Sequence, residues 1–126
     1  MIKLKDLLEN KIIFHKPDFE YEWEEAMRYS DLFPNKQTWL NKVNTGKVMT
    51  VNCQMNIQNT DMCDYKGIEL DPEKTQRVDK IVKSGDIELP IVMRCDGKYE
   101  LVGGNTRLVA LNSKGLPTKA WVFNYD

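Results

Sequence analysis

Val102-Gly103-Gly104-Asn105-Thr106-Arg107 is the stretch on which the fold of this chain turns. Tyr99 to Val102 reads as a strand, and from Asn105 to Lys114 the buried positions Leu108 and Leu111 have the spacing of a helix face. Two glycines between a strand and a helix allow backbone angles closed to other residues. They also let an anion come close to the first N–H groups of the helix, which lack intrahelical acceptors. Arg107, one turn in, adds a fork of donors suited to phosphate oxygens. A tight strand-to-helix turn beside a solvated arginine needs the same residues, so the pattern alone leaves both readings open.

Working outward, Ile91 to Arg94 is a second strand, joined to Tyr99–Val102 around Asp96-Gly97, a dipeptide that favours the two-residue hairpin turn. Gly115 ends the helix, and Lys119 to Phe123 forms a last strand. Upstream, Asp71 as N-cap, Pro72 at the first helical position and Glu73 in the first turn open a helix whose buried face is Val78, Ile81 and Val82, with Gly85 as its stop. Val48 to Val51 is a strand, and Gln54 to Lys66 is a polar loop of about a dozen residues, long enough to suggest a job or mobility. Before residue 46 the apolar spacings of three and four change the character: Leu4, Leu7, Leu8, then Trp23, Met27 and Leu32, then Trp39, Leu40 and Val43 predict short amphipathic helices. The expected organisation is a helical N-terminal extension over residues 1–46 and a small α/β (α+β) domain with a mixed sheet over residues 47–126.

With 126 residues and 41% apolar content the chain can bury one core but not two. Lys and Arg number 18 against 19 Asp and Glu, a formal net charge of −1. Such a balance speaks against a domain that coats nucleic acid by charge alone. A DNA role would need a local patch, for which Lys74, Arg77, Lys80 and Lys83 are the candidates. No apolar run approaches the roughly 18–20 residues of a membrane span, and no signal-peptide pattern opens the chain, so a cytoplasmic protein is expected. Cys53, Cys63 and Cys95 are odd in number and include no Cys-x-x-Cys pair, which predicts neither a disulfide framework nor a zinc knuckle. His15 is the sole histidine, so Ser-His and Cys-His catalysis are not expected, whereas a carboxylate site for Mg2+ is compatible with the composition. The acidic residues Glu20, Glu22 and Glu24 are expected on a solvated helix face.

In Leu70-Asp71-Pro72-Glu73-Lys74-Thr75-Gln76-Arg77-Val78, Lys74 and Arg77 are three apart and share a helix face, so both could meet one ligand near the glycine turn. The i,i+4 pairs Glu73–Arg77 and Asp79–Lys83 equally fit a plain solvated face. Taken together, the LDPxK helix, the Pro-Ile strand, the hairpin and the GG-x-x-R turn resemble the ParB/sulfiredoxin superfamily over roughly residues 68–123. In that superfamily the equivalent turn holds nucleotide phosphates. The resemblance therefore implies ATP or CTP as ligand, with Lys74, Gly104, Asn105, Thr106 and Arg107 around its phosphates, and the shared helix face and the glycine turn add Arg77 and Gly103 as candidates.

Departures from the family narrow the activity. Asn105 stands where sulfiredoxin has its catalytic cysteine and where the ParB box has Glu, which implies loss of sulfinic-acid repair. No helix-turn-helix follows within residues 1–126, so partition of chromosomes is not expected. Candidates for a catalytic acid or base are Glu69, Asp71 and Glu100, with Asp71 also serving as N-cap. Three functions are compatible with these features: a nucleotide-binding protein that hydrolyses ATP or CTP or transfers its phosphoryl group, a DNA-associated ParB-like protein or nuclease, and a non-enzymatic phage protein whose helical leader binds a host factor. The leader resembles those of small phage-encoded ParB-like proteins, notably at Trp23 to Arg28 and Trp39.

Overall fold

The computed structural model describes residues 12–64 and 72–126. The helix expected around Leu4 to Leu8 lies outside these residues. The chain runs through β1 (Ile13–His15), α1 (Trp23–Ala26) continued by a 3-10 turn (Met27–Tyr29), α2 (Lys36–Val43), β2 (Lys47–Thr50), a 3-10 turn (Cys53–Met55), α3 (Pro72–Ser84), β3 (Asp86–Glu88), β4 (Ile91–Cys95), β5 (Lys98–Gly103), α4 (Asn105–Ser113) and β6 (Lys119–Asn124). Four strands form one mixed sheet in the order β2-β6-β4-β5, in which β4 and β6 are parallel and the outer pairs antiparallel. This is an α+β fold with a mixed sheet, as expected. Asp96 (φ 52°) and Gly97 (φ 75°) make the β4–β5 hairpin with the positive backbone angles that its two-residue turn demands.

Because neighbouring strand residues point to opposite faces, the apolar runs of β4, β5 and β6 feed two cores. Ile91, Met93, Val102 and Phe123 face Phe19, Ala26, Phe33, Trp39 and Val43. Val92, Leu101, Ala120 and Val122 face Leu108 together with Val51, Ile57 and Met62. The sheet is thus covered by the leader on one side, and by α4 and the segment after β2 on the other, which explains strands that read as continuous apolar runs. Trp39 is fully buried, packs edge-on against Phe33 and Phe123 at centroid distances of 5.2 and 5.8 Å, and donates its indole N–H to the Phe19 carbonyl at 2.7 Å.

Three features depart from the sequence reading. The leader contributes a strand as well as helices: β1 runs parallel to β3, pairing Ile13 with Asp86 and His15 with Glu88. Both strands are three residues long, too short for a period-2 signal. Glu22, expected on a solvated face, is buried. Cys53 and Cys63, expected as free thiols, form a disulfide across a Cα–Cα distance of 5.7 Å, and Cys95 is the free cysteine. Spacing alone could not give this pairing, because it depends on the turn of the chain between the two residues. Among the described residues no helix is long and apolar enough to cross a membrane.

Because Trp39 ties the leader to the sheet, Trp39→Ala should cost about 3–5 kcal/mol of stability, the range for removing a buried tryptophan. Urea unfolding followed by circular dichroism should show this loss in a single transition. A second, separate transition would instead mark the leader as an independent unit.

Candidate functional site

The Gly103-Gly104 turn sits on the wall of a cavity of about 660 Å³ lined by Glu25, Arg28, Asn59, Thr60, Asp61 and residues 101–107. Its floor is made by a break in strand pairing. Ile91 pairs with Gly103 but Val92 pairs with Leu101, so Val102 is an extra residue bulged out of the ladder. The Val102 carbonyl accepts a hydrogen bond from Arg28 Nη2 at 2.7 Å. The Leu101 carbonyl accepts from the Tyr29 hydroxyl at 3.1 Å, and that hydroxyl in turn accepts from Asn59 Nδ2 at 2.9 Å. Burial, with the nearby Glu100 carboxylate adding to it, pushes the Tyr29 hydroxyl pKa up. The hydroxyl therefore stays protonated at neutral pH and keeps its donor role.

Gly104 is the N-cap of α4 with φ 95°, a left-handed conformation that favours glycine. A Cβ there would lie 2.7 Å from Arg107 Nη2 and 2.8 Å from Pro90 Cα. At Gly103 a Cβ would lie 2.7 Å from Glu22 Oε2. A side chain at either glycine would press on the Arg107–Glu22 pair behind the turn, and at Gly104 on the Pro90 backbone as well.

Arg107 occupies neither of the positions that the sequence left open. Its Nη1 donates to the Glu88 carbonyl at 3.0 Å, and its Nη2 pairs with Glu22 Oε1 at 3.3 Å. The side chains are 19% and 7% exposed, so this is a largely buried ion pair and not a surface charge. Burial raises the Glu22 pKa; Arg107 opposes that rise, and Glu88 adds to it.

On the opposite side of α4, Asn105 Oδ1 accepts from Thr60 Oγ1 at 2.7 Å and from the Asp61 N–H at 3.0 Å, while its Nδ2 donates to Asp61 Oδ2 at 3.2 Å. Lys74 Nζ lies 3.4 Å from the same Asp61 oxygen, its side chain 10% exposed. The structure therefore gathers Gly103, Gly104, Asn105, Thr106 and Arg107 on the cavity, and brings Lys74 to its edge through Asp61. Arg77 is exposed and does not line the cavity. Glu100 lines a separate depression with Tyr99 and Gln58. Glu69 and Asp71 lie outside the described residues. Sequence reasoning missed Arg28, Asn59, Thr60 and Asp61. The length and polarity of the Gln54–Lys66 loop was the one signal that pointed to the last three. Comparison with protein-family models, with curated proteins and with solved structures returns no match.

Removing Arg107 leaves Glu22 buried and unpaired, so Arg107→Ala should cost about 3–5 kcal/mol of stability, measurable by urea unfolding at neutral pH; an exposed arginine would leave the midpoint unchanged. Gly104→Val should be destabilised by on the order of 1–3 kcal/mol, from the strained backbone angle alone. The pH response has a definite sign. With its pKa raised above the ordinary 4.5 in the folded state, Glu22 holds its proton more tightly folded than unfolded. Its contribution to stability is therefore full below pH 4.5 and is lost as pH rises through the raised pKa. Relative to Glu22→Gln, wild type should lose stability over that interval; parallel pH profiles of the two proteins would contradict the assignment.

Proposed function

We propose that this cavity binds the phosphate groups of a nucleoside triphosphate, ATP or CTP, against the first turn of α4. The observation that carries the reading is the coincidence of the cavity with that turn. Asn105, Thr106 and Arg107 lie in the helix's N-terminal turn, where backbone N–H groups lack intrahelical acceptors and favour an anion. The Thr106 side chain adds a hydroxyl, and Arg28, whose side chain is about half exposed at 52%, adds a cation at the rim. Arg107 and Lys74 serve this site from behind, as charges fixed by Glu22 and Asp61. Asp61 and Glu25 supply carboxylate oxygens of the kind Mg2+ takes, and both line the cavity. The resemblance to the ParB/sulfiredoxin superfamily supports the choice of nucleotide, and hydrolysis or phosphoryl transfer as the chemistry. Such a reaction relies on positioning and positive charge more than on a protein nucleophile.

The DNA reading is less well supported. Lys74 is buried, which leaves Arg77, Lys80 and Lys83 as the exposed cations of the α3 patch. Capture of a host factor by the leader would have to use what remains after Phe33, Trp39 and Val43 are spent on the core.

Calorimetry with ATP and CTP, with and without magnesium, tests the proposal on wild type, Arg28→Ala and Lys74→Ala. Arg28→Ala should lose about 1.5–3 kcal/mol of triphosphate affinity, the range for hydrogen bonds to charged groups. Lys74→Ala should weaken binding less, because Lys74 acts through Asp61. Equal affinities in all three folded proteins, or no binding by wild type, would overturn the reading.

A further inference from the structure

Residues 53 to 63 form a closed ring: the Cys53–Cys63 disulfide joins its ends. Within it lie Asn59, Thr60 and Asp61, three of the residues that line the cavity. Both cysteines are exposed, so the bond itself adds little to the core. The ring's other ties are hydrogen bonds, one ion pair and two buried side chains. Asn59 Nδ2 donates to the Tyr29 hydroxyl and the Leu101 carbonyl at 2.9 and 3.3 Å, Asn112 Nδ2 donates to the Met62 carbonyl at 2.9 Å, and Lys74 Nζ lies 3.4 Å from Asp61. Ile57 and Met62 are buried, Gln58 exchanges backbone hydrogen bonds with Tyr99 and Leu101, both at 2.9 Å, and Asn105 takes hold of Thr60 and Asp61. Six of its residues, Cys53, Gln54, Asn56, Gln58, Asn59 and Cys63, are exposed, and Asn56 and Asn59 adopt positive φ. These ties are mostly partly exposed hydrogen bonds, each of small net strength, so opening the covalent link shifts the balance towards an open loop.

We propose that the Cys53–Cys63 disulfide is a redox latch on the cavity: closed, it holds Thr60 and Asp61 against the first turn of α4 and Asn59 against β5, and opened by a dithiol reductant it releases them and weakens phosphate binding. The effect on ligand rests on the reading of the cavity as a phosphate site; the effect on the loop does not. In the opening step a thiolate of the reductant attacks one sulfur, forming a mixed disulfide and freeing the other cysteine as a thiolate that takes up a proton. The reductant's second thiol then displaces the remaining cysteine. Two electrons and two protons end on the cysteine pair, and the reductant leaves as its own disulfide. Cys95 is held apart from this exchange on the β4–β5 hairpin, its sulfur 3.9 Å from Asp126 Oδ1, and burial together with the Asp126 and Asp96 charges keeps it a thiol.

Hydrogen exchange and calorimetry on the full chain, oxidised and after dithiothreitol, test the latch. Reduction should speed exchange of the Gln58 and Asp61 amides about tenfold or more while Val92, Met93 and Val122 stay protected. ATP affinity should fall about tenfold with the loop. Cys53→Ser/Cys63→Ser should behave as reduced wild type with or without dithiothreitol, and Cys95→Ser should respond as wild type does. Unchanged exchange at Gln58 and Asp61 on reduction overturns the latch, as does loss of protection in β4 and β6 together with the loop, which would make the bond a staple of the whole fold. If the oxidised protein binds no ATP, the phosphate reading fails, and the exchange measurement still decides the latch.

Discussion

The buried pair of Arg107 and Glu22 is the interaction around which this structure is arranged. A guanidinium and a carboxylate withdrawn from water are stable together only if their remaining donors and acceptors are met. Arg107 meets that condition through the Glu88 and Leu89 carbonyls at 3.0 and 3.4 Å, just ahead of β4. One side chain thereby ties the leader, the β3–β4 connection and the start of α4. The two glycines follow from it, since the space that their missing Cβ atoms leave is taken by Arg107, Glu22 and Pro90.

Asn105 does the corresponding work on the other side of the helix. Residues two apart on an α-helix point in nearly opposite directions, so Arg107 and Asn105 cannot serve the same neighbour. Asn105 faces Thr60, Asp61 and, through Asp61, Lys74. The first turn of α4 is held from both flanks by side chains, and its N-terminal end is left to face the cavity. Helix ends that are fixed in place before a ligand arrives bind anions without having to be ordered first, which lowers the cost of association.

Much of this could be read in the sequence. The strands at Ile91, Tyr99 and Lys119, the helix after Pro72 and the hairpin at Asp96-Gly97 all carry local signals strong enough to place them, and each lies within a residue or two of its expected bounds. The glycine turn was legible as a turn. What it packs against was not, because Glu22 and Arg107 are 85 residues apart and nothing near Glu22 marks it as different from Glu20 or Glu24. Tertiary burial selects one acidic residue of three, and no local pattern records that choice. The Cys53–Cys63 pairing was hidden for the same reason: an odd count and a ten-residue spacing say nothing about a chain that folds back on itself.

The bulge at Val102 connects these observations. An extra residue in β5 breaks the ladder one step before the glycines, and its carbonyl receives Arg28. Beside it, the Leu101 carbonyl receives Tyr29 and Asn59. The edge of the sheet is therefore closed by side chains from the leader on one hand and by the disulfide-bounded loop on the other, whose Gln58 pairs with β5 through its backbone. An edge finished in this way cannot recruit a foreign strand, yet it remains open in front of the helix end. The polar groups that protect the sheet edge are the same ones that shape the cavity, so the stability of the edge and the geometry of the site cannot be varied independently.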